Sequence, residues 1–269
     1  MHGPLLLVGC GKMGGALLGG WLARGMGAND IAVVEPGKDQ LAEAARRGVT
    51  AVASADKLPA KFAPAVVVLA VKPQSMDSVT HAYARYAGRA WFLSIAAGRG
   101  ISSLQRILGP DAAIVRAMPN LPAAVGRGIS VAYPNSRVTA AMRAQCDKLL
   151  AAVGEVAWID DEALIDAVTA LSGSGPAYVF LLIEALAAAG AAIGLPPDLA
   201  LRLSRATVCG AGELAHQSSA AAAELRRNVT SPGGTTEAAL KVLMAADGLE
   251  PLLVRALTAA RDRARQLAS

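Results

Sequence analysis

Leu5-Leu6-Leu7-Val8-Gly9-Cys10-Gly11-Lys12-Met13-Gly14 decides the fold: an apolar run of strand length enters a Gly-x-Gly-x-x-Gly loop that opens a helix reaching to about Arg24. The first glycine permits a tight turn, the second lets backbone approach a pyrophosphate, and the third lets helix and strand pack closely. The helix N-terminus then presents unpaired N–H groups and a partial positive charge to the phosphates. A second apolar strand, Ile31 to Val34, ends in Glu35, the position from which a carboxylate bonds the adenosine ribose hydroxyls of NAD and repels a 2′-phosphate. Lys38, Arg46 and Arg47 follow it and offer cations to a 2′-phosphate, so both NADH and NADPH stay open as the cofactor.

Beyond that loop, strand-length apolar runs recur at Val49 to Ala53, Ala65 to Val71, Trp91 to Ile95, Ala113 to Ala117 and Ile129 to Tyr133, with helical stretches between them. Several runs are apolar on both faces, which predicts a parallel sheet covered by helices on both sides, a doubly wound α/β fold. After Asp160-Asp161 the strand signals stop, and Ala- and Leu-rich helices follow, broken at Gly175-Pro176, Gly194-Leu195-Pro196 and Ser231-Pro232-Gly233-Gly234. The expected division is a dinucleotide-binding domain over residues 1–160 and an all-helical dimerisation and substrate domain over 161–269. The helical half is poor in charge, and alone it would leave much apolar surface uncovered, so association through it is expected.

Composition narrows the function classes. A net charge of +5 is spread over scattered arginines, without the block of like charges that marks a nucleic-acid arm or a polybasic membrane anchor, and it suits a small anionic ligand. Cys10, Cys146 and Cys209 lie far apart, so neither a metal knuckle nor a redox pair is written here, and no metal site is expected. The start, Met1-His2-Gly3-Pro4, carries no signal-peptide pattern, and a cytoplasmic location is expected. Val179 to Leu195, interrupted by Glu184, is too short an uncharged run for a bilayer span and reads as a core helix; Glu184 is expected to bond a neighbouring chain's backbone or to shape the site.

Three segments stand where sheet strands end, the edge at which ligands bind in such folds. Ala70-Val71-Lys72-Pro73-Gln74 offers a lysine to nicotinamide ribose or substrate, Ser94-Ile95-Ala96-Ala97-Gly98 is small enough to admit a flat ring, and Arg116-Ala117-Met118-Pro119-Asn120-Leu121-Pro122 presents an amide. A fourth segment, Val229-Thr230-Ser231-Pro232-Gly233-Gly234-Thr235-Thr236, leads into a helix from Glu237, and its small hydroxylated residues and glycines should leave free N–H groups for a carboxylate.

Together with Ser172-Gly173-Ser174-Gly175-Pro176-Ala177-Tyr178, these motifs run in order over essentially the whole chain and resemble the pyrroline-5-carboxylate reductase family. The resemblance implies reduction of the small molecule 1-pyrroline-5-carboxylate to L-proline with NADPH or NADH. It also implies a homodimer of interlocked helical domains, often assembled to a decamer, with each active site between one subunit's Rossmann domain and helices of the dimerisation domains. It places Thr236 as hydrogen-bond partner of the imine nitrogen. Two departures bear on cofactor affinity and NADP preference: Lys12 stands where relatives carry Asn, and Ala55 where a cofactor-touching Asn is frequent.

The expected cofactor contacts are Gly9, Gly11, Lys12, Met13, Gly14, Glu35, Val71, Lys72, Pro73, Ala97 and Asn120; the expected carboxylate contacts are Ser231, Gly233, Gly234 and Thr235. His2, His81 and His216 sit outside every motif. No ordinary general acid is evident, and a readily protonated imine needs chiefly a hydroxyl donor and positioning. A hydroxy-acid dehydrogenase would want a catalytic Lys or His in the helical half, where Lys241 and His216 lie away from any Gly-Pro motif. A dinucleotide sensor without turnover would not need Thr230 to Thr236.

Overall fold

A computed structural model describes residues 3–268; His2 lies outside them. The chain divides into two compact units, one running up to Gly173 and taking in the last turns from Ala260, the other Ser174–Ala259.

The first unit carries a sheet of eight strands: β1 (Leu5–Val8), β2 (Ile31–Val34), β3 (Thr50–Val52), β4 (Val66–Leu69), β5 (Trp91–Ser94), β6 (Ile114–Met118), β7 (Gly128–Pro134) and β8 (Gly154–Trp158). They lie in the order β3-β2-β1-β4-β5-β6-β7-β8. The first six pair in parallel, and their order is that of a doubly wound dinucleotide-binding sheet. Helices cross between them: α1 (Lys12–Ala23), α2 (Lys38–Arg46), α3 (Met76–His81) and α4 (Ile101–Leu108). Alternate residues of each strand feed opposite cores. Leu5, Leu7, Val33 and Leu93 meet Leu17 and Trp21 of α1 on one face, while Leu6, Val8, Phe92 and Ile114 meet Met76 and Leu104 on the other. Each such side chain taken wholly out of water contributes about 1.5–3 kcal/mol.

Two features depart from the sequence reading. β7 runs antiparallel to β6, because residues 119–127 between them form only a short turn, too brief for the crossover that a parallel partner needs. β8, absent from the expected strands, pairs in parallel with β7 after the crossover helix α5 (Ala140–Leu150). Its exposed Glu155 and Ala157 mark an edge strand with a weak apolar signal.

After β8 come α6 (Ile165–Val168) and a π-helical turn, Thr169–Gly173. The second unit holds α7 (Gly175–Ala192), α8 (Pro197–Gln217), α9 (Ala222–Asn228), α10 (Thr235–Leu243) and most of α11 (Leu249–Ala268). A short turn folds α8 back on α7, with Gly190 close against Ala200. The core helix expected at Val179 to Leu195 is a helix without a core of its own. No residue of α7 is buried, Phe180 is 54% and Leu181 61% exposed, and Glu184 stands in the open. An apolar composition identifies a helix that needs cover; it does not say whether the cover comes from the same chain. The helical run Glu162–Ala192 is also long and apolar enough, by length and composition, to cross a membrane.

Candidate active site

The glycine loop has the steric logic that its spacing predicts. Gly9 has φ +90°, and a Cβ there would stand 2.6 Å from the Ala70 carbonyl oxygen. Gly14 packs so closely on the Gly9 carbonyl that a Cβ would collide with it, whereas Gly11 has nothing within 4 Å. The open glycine is the one at which an anion would approach. Helix α1 starts with Gly11 as its N-cap, without a side-chain cap and without an acidic residue in its first turn. The first-turn N–H groups, Lys12, Met13 and Gly14 among them, have no intrahelical acceptor.

Glu35 lies beside this loop, with both carboxylate oxygens engaged. Oε2 accepts the Cys10 N–H at 2.6 Å and Oε1 the Gly37 N–H at 2.7 Å. The side chain thus ties the end of β2 to the glycine turn. Burial first, and the Glu35 carboxylate second, push the Cys10 thiol up, which keeps it protonated and unreactive at neutral pH. A cavity of about 560 Å³ opens here between the ends of β1, β2 and β4, lined by Gly9, Gly11, Glu35, Val71 and Lys72. Sequence reasoning missed Gln40, Ser54 and Tyr83, which also line it. Tyr83 is pushed up to about 12 by burial and stays a neutral phenol. Ala55 lines the wall as well, and its carbonyl accepts from Arg85 at 3.1 Å.

The cations downstream of Glu35 are not equivalent. Arg46 and Arg47 both pair with Glu43, at 2.8 and 3.1 Å, and Arg47 also donates to the Gly15 carbonyl. They stand at the far end of the nine-residue α2, a length of about 13 Å. Lys38, which opens α2, is the cation nearest in sequence to the Glu35 turn.

Pro73, Ala97 and Asn120 fall outside the 560 Å³ cavity, as do Lys12, Met13 and Gly14. Lys12 and Gly11 border a second cleft, of about 690 Å³, whose other wall includes Ala123 and Gly126. Pro73 accepts from Arg99 Nε at 3.3 Å. Asn120 Oδ1 accepts the Ile129 N–H at 2.9 Å, which fixes the amide so that its NH₂ points the other way. Gly98 has φ +69°, and its missing Cβ makes room for the backbone of Leu267, whose oxygen would be 3.2 Å from it.

An ion pair that no motif announces joins Arg116 and Glu162, at 2.9 Å. Glu162 also accepts the Ile101 N–H at 2.8 Å, so one carboxylate joins β6 to the start of α4. Arg116 is 5% exposed, and its Nε and Nη2, with the neighbouring Ser94 Oγ, are buried without partners. Three orphaned polar atoms at the ligand edge of β5 and β6 mark a place built for more than packing.

In the second unit, α10 begins at Thr235, with Gly234 as N-cap, two residues before the expected start. Thr235 and Thr236 therefore occupy the first turn, where N–H groups lack intrahelical acceptors. The loop before them is partly self-satisfied, contrary to the expected set of free N–H groups. Gly234 donates to the Ser231 carbonyl at 3.0 Å, Gly233 to Glu237 Oε2 at 2.7 Å, and the Thr230 hydroxyl to the Arg226 carbonyl at 2.6 Å. The structure therefore collects the expected cofactor residues around the strand ends of the first unit and the expected substrate residues on one loop of the second.

Residues 162–267 match the family described as pyrroline-5-carboxylate reductase dimerisation, and residues 5–98 match NADP oxidoreductase, coenzyme F420-dependent. The pyrroline-5-carboxylate reductase of Pseudomonas aeruginosa is 46% identical over 98% of this chain and 96% of its own length. The solved pyrroline-5-carboxylate reductase of Coxiella burnetii is similar across the full length of both chains, with a TM-score of 0.93 and 35% identity. The Plasmodium falciparum pyrroline carboxylate reductase, solved with NADP bound, has a TM-score of 0.82 and 29% identity over 100% of this chain and 99% of that one.

Proposed function

The chain belongs to the pyrroline-5-carboxylate reductase family, and from that premise we propose that Thr236 and the loop before it hold 1-pyrroline-5-carboxylate while the glycine turn holds NAD(P)H. The reaction is the NAD(P)H-dependent reduction of that imine to L-proline, the last step of proline biosynthesis. The observation that carries the assignment of roles is a pair of helix N-termini whose glycine N-caps bring no side-chain cap: α1 behind an open Gly11, and α10 with Thr235 and Thr236 in its first turn.

The residues present fit the cofactor. Lys12, Met13 and Gly14 would receive the pyrophosphate, Gly9 and Gly11 give it room, and Glu35 meets the adenosine ribose. Val71, Lys72, Pro73, Ala97 and Asn120 line its path toward the reacting end. When bound, the reduced nicotinamide supplies the hydride. The rest falls to the chain. Ser231 and the N–H groups of Gly233 and Thr235 anchor the substrate carboxylate, with Gly234 closing the turn through the Ser231 carbonyl and the dipole of α10 assisting. The Thr236 hydroxyl holds the ring nitrogen, on which positive charge is neutralised as hydride arrives at carbon. A ring fixed at two points reacts as in an intramolecular step, an effect worth up to about 7–11 kcal/mol.

The exposed apolar face of α7 fits a second copy of this chain: the dimerisation family spans residues 162–267, and a lipid-facing α7 would leave the remaining apolar helices of its unit uncovered. We assign residues 161–269 to dimerisation and substrate binding, residues 1–160 to the cofactor, and the working form to a homodimer, with a decamer as its further assembly. Cys10 and Cys146 are buried free thiols and Cys209 is an exposed one, which supports a reducing, cytoplasmic setting.

The test is consumption of NADPH and of NADH with 1-pyrroline-5-carboxylate, followed by absorbance, with L-proline quantified in parallel. The expected result is imine-dependent oxidation with one proline formed per cofactor consumed; cofactor binding without imine-dependent oxidation would overturn it.

A further inference from the structure

The N–H of Gly233 points at a place where a substrate carboxylate is expected, yet a carboxylate already stands there. Glu237 Oε2 accepts that N–H at 2.7 Å. Glu237 is the third residue of α10, and a glutamate at this position ordinarily reaches back to the N–H of the N-cap. Here the N-cap is Gly234, whose N–H is spent on the Ser231 carbonyl, and the glutamate reaches one residue further, to a glycine with φ +69°. Its carboxylate thereby occupies the Gly233 N–H. One N–H hydrogen in this geometry serves one carboxylate, and two like charges at the same helix start repel each other.

Resting on the assignment of this loop to the substrate carboxylate, we infer that Glu237 is an internal competitor for that carboxylate and sets the affinity of the site for both substrate and product. The imine enters by displacing Glu237 from Gly233, and Ser231 with the Thr235 N–H takes hold of it. L-proline carries the same carboxylate, so the return of Glu237 to Gly233 weakens product binding to the same degree and speeds release. Glu237 acts through the N–H it occupies.

The experiment is steady-state kinetics of the assembled enzyme with 1-pyrroline-5-carboxylate as the varied substrate and L-proline as the inhibitor, for wild type, Glu237→Gln and Ser231→Ala. Glu237→Gln keeps an amide oxygen for Gly233, and so the shape of the loop, while removing the charge. The expected result is that KM for the imine and Ki for L-proline fall together, by about 1.5- to fivefold for a lost like-charge contact of this kind, with KM for NAD(P)H unchanged. A KM and Ki that hold or rise in Glu237→Gln would overturn the competition. Ser231→Ala separates the two readings. If it raises KM and Ki while Glu237→Gln leaves them unmoved, the competitor fails and the carboxylate loop stands. If Ser231→Ala leaves both constants unmoved, the assignment of the loop fails, and the inference with it.

Discussion

The two units of this chain solve the same problem, covering apolar surface, in opposite ways. In the sheet unit β1, β2, β4 and β5 are buried along their whole length, with a closed core on each face. Among the described residues of Ser174–Ala259, only Ala200 and Ser204 are buried. A parallel sheet completes its layers with the helices that connect its own strands, whereas α7 and α8, joined by a short turn, cover one side of each other and leave the rest bare. The first unit closes its cores with its own helices, and the second leaves apolar surface uncovered.

Sharp ways to break that contrast start at α7. Phe180→Glu places a charge in the middle of the exposed apolar face; we expect loss of association by sedimentation velocity and loss of nearly all activity, with the near-ultraviolet signal of the sheet-unit tryptophans retained. Unchanged assembly would mean that this face is not the one covered. A smaller but still large effect is expected from Thr236→Ala, about a hundredfold in kcat for one lost hydrogen-bond partner at the nitrogen whose charge changes in the reaction, while the Kd for NADPH by fluorescence titration stays put. Equal loss of both would remove the role assigned to Thr236. Within the sheet unit, Gly11→Ala adds a methyl where the fold has room, so the Tm should hold while cofactor affinity drops about tenfold, read by the same titration; a fall in Tm would place Gly11 among the packing glycines. The smallest effect is that of Glu35→Ser, which frees the Cys10 and Gly37 N–H groups and removes a negative charge. The ratio of kcat/KM for NADPH over NADH should rise severalfold, and an unmoved ratio would show a strut that does not meet the ribose.

The two regions also differ in how much of them a sequence discloses. The glycine turn was legible residue by residue because each glycine answers a local steric demand: a positive φ at Gly9, open space at Gly11, and contact with the Gly9 carbonyl at Gly14. Strand positions were legible from apolar runs, but direction was not. The antiparallel β7 follows from the brevity of residues 119–127, which burial patterns do not encode. Glu35 was placed correctly at a strand end, but its bonds to Cys10 and Gly37 depend on the tertiary meeting of two loops. The same holds for Arg116 and Glu162, 46 residues apart. At the loop before α10 the four-residue spacing from Gly233 to Glu237 is a readable signal, since a glutamate in the first turn of a helix tends to fold back on the N–H groups before it. Apolarity in α7 was plain, but periodicity cannot tell a core shared with a second chain from a private one.

The measurement that bears most directly on the contrast between the units is sedimentation velocity of the wild-type chain across micromolar concentrations, with activity assayed on the same fractions. The expected result is a dimer, or a multiple of it, with the activity confined to that species. A monomeric species with full activity would contradict it.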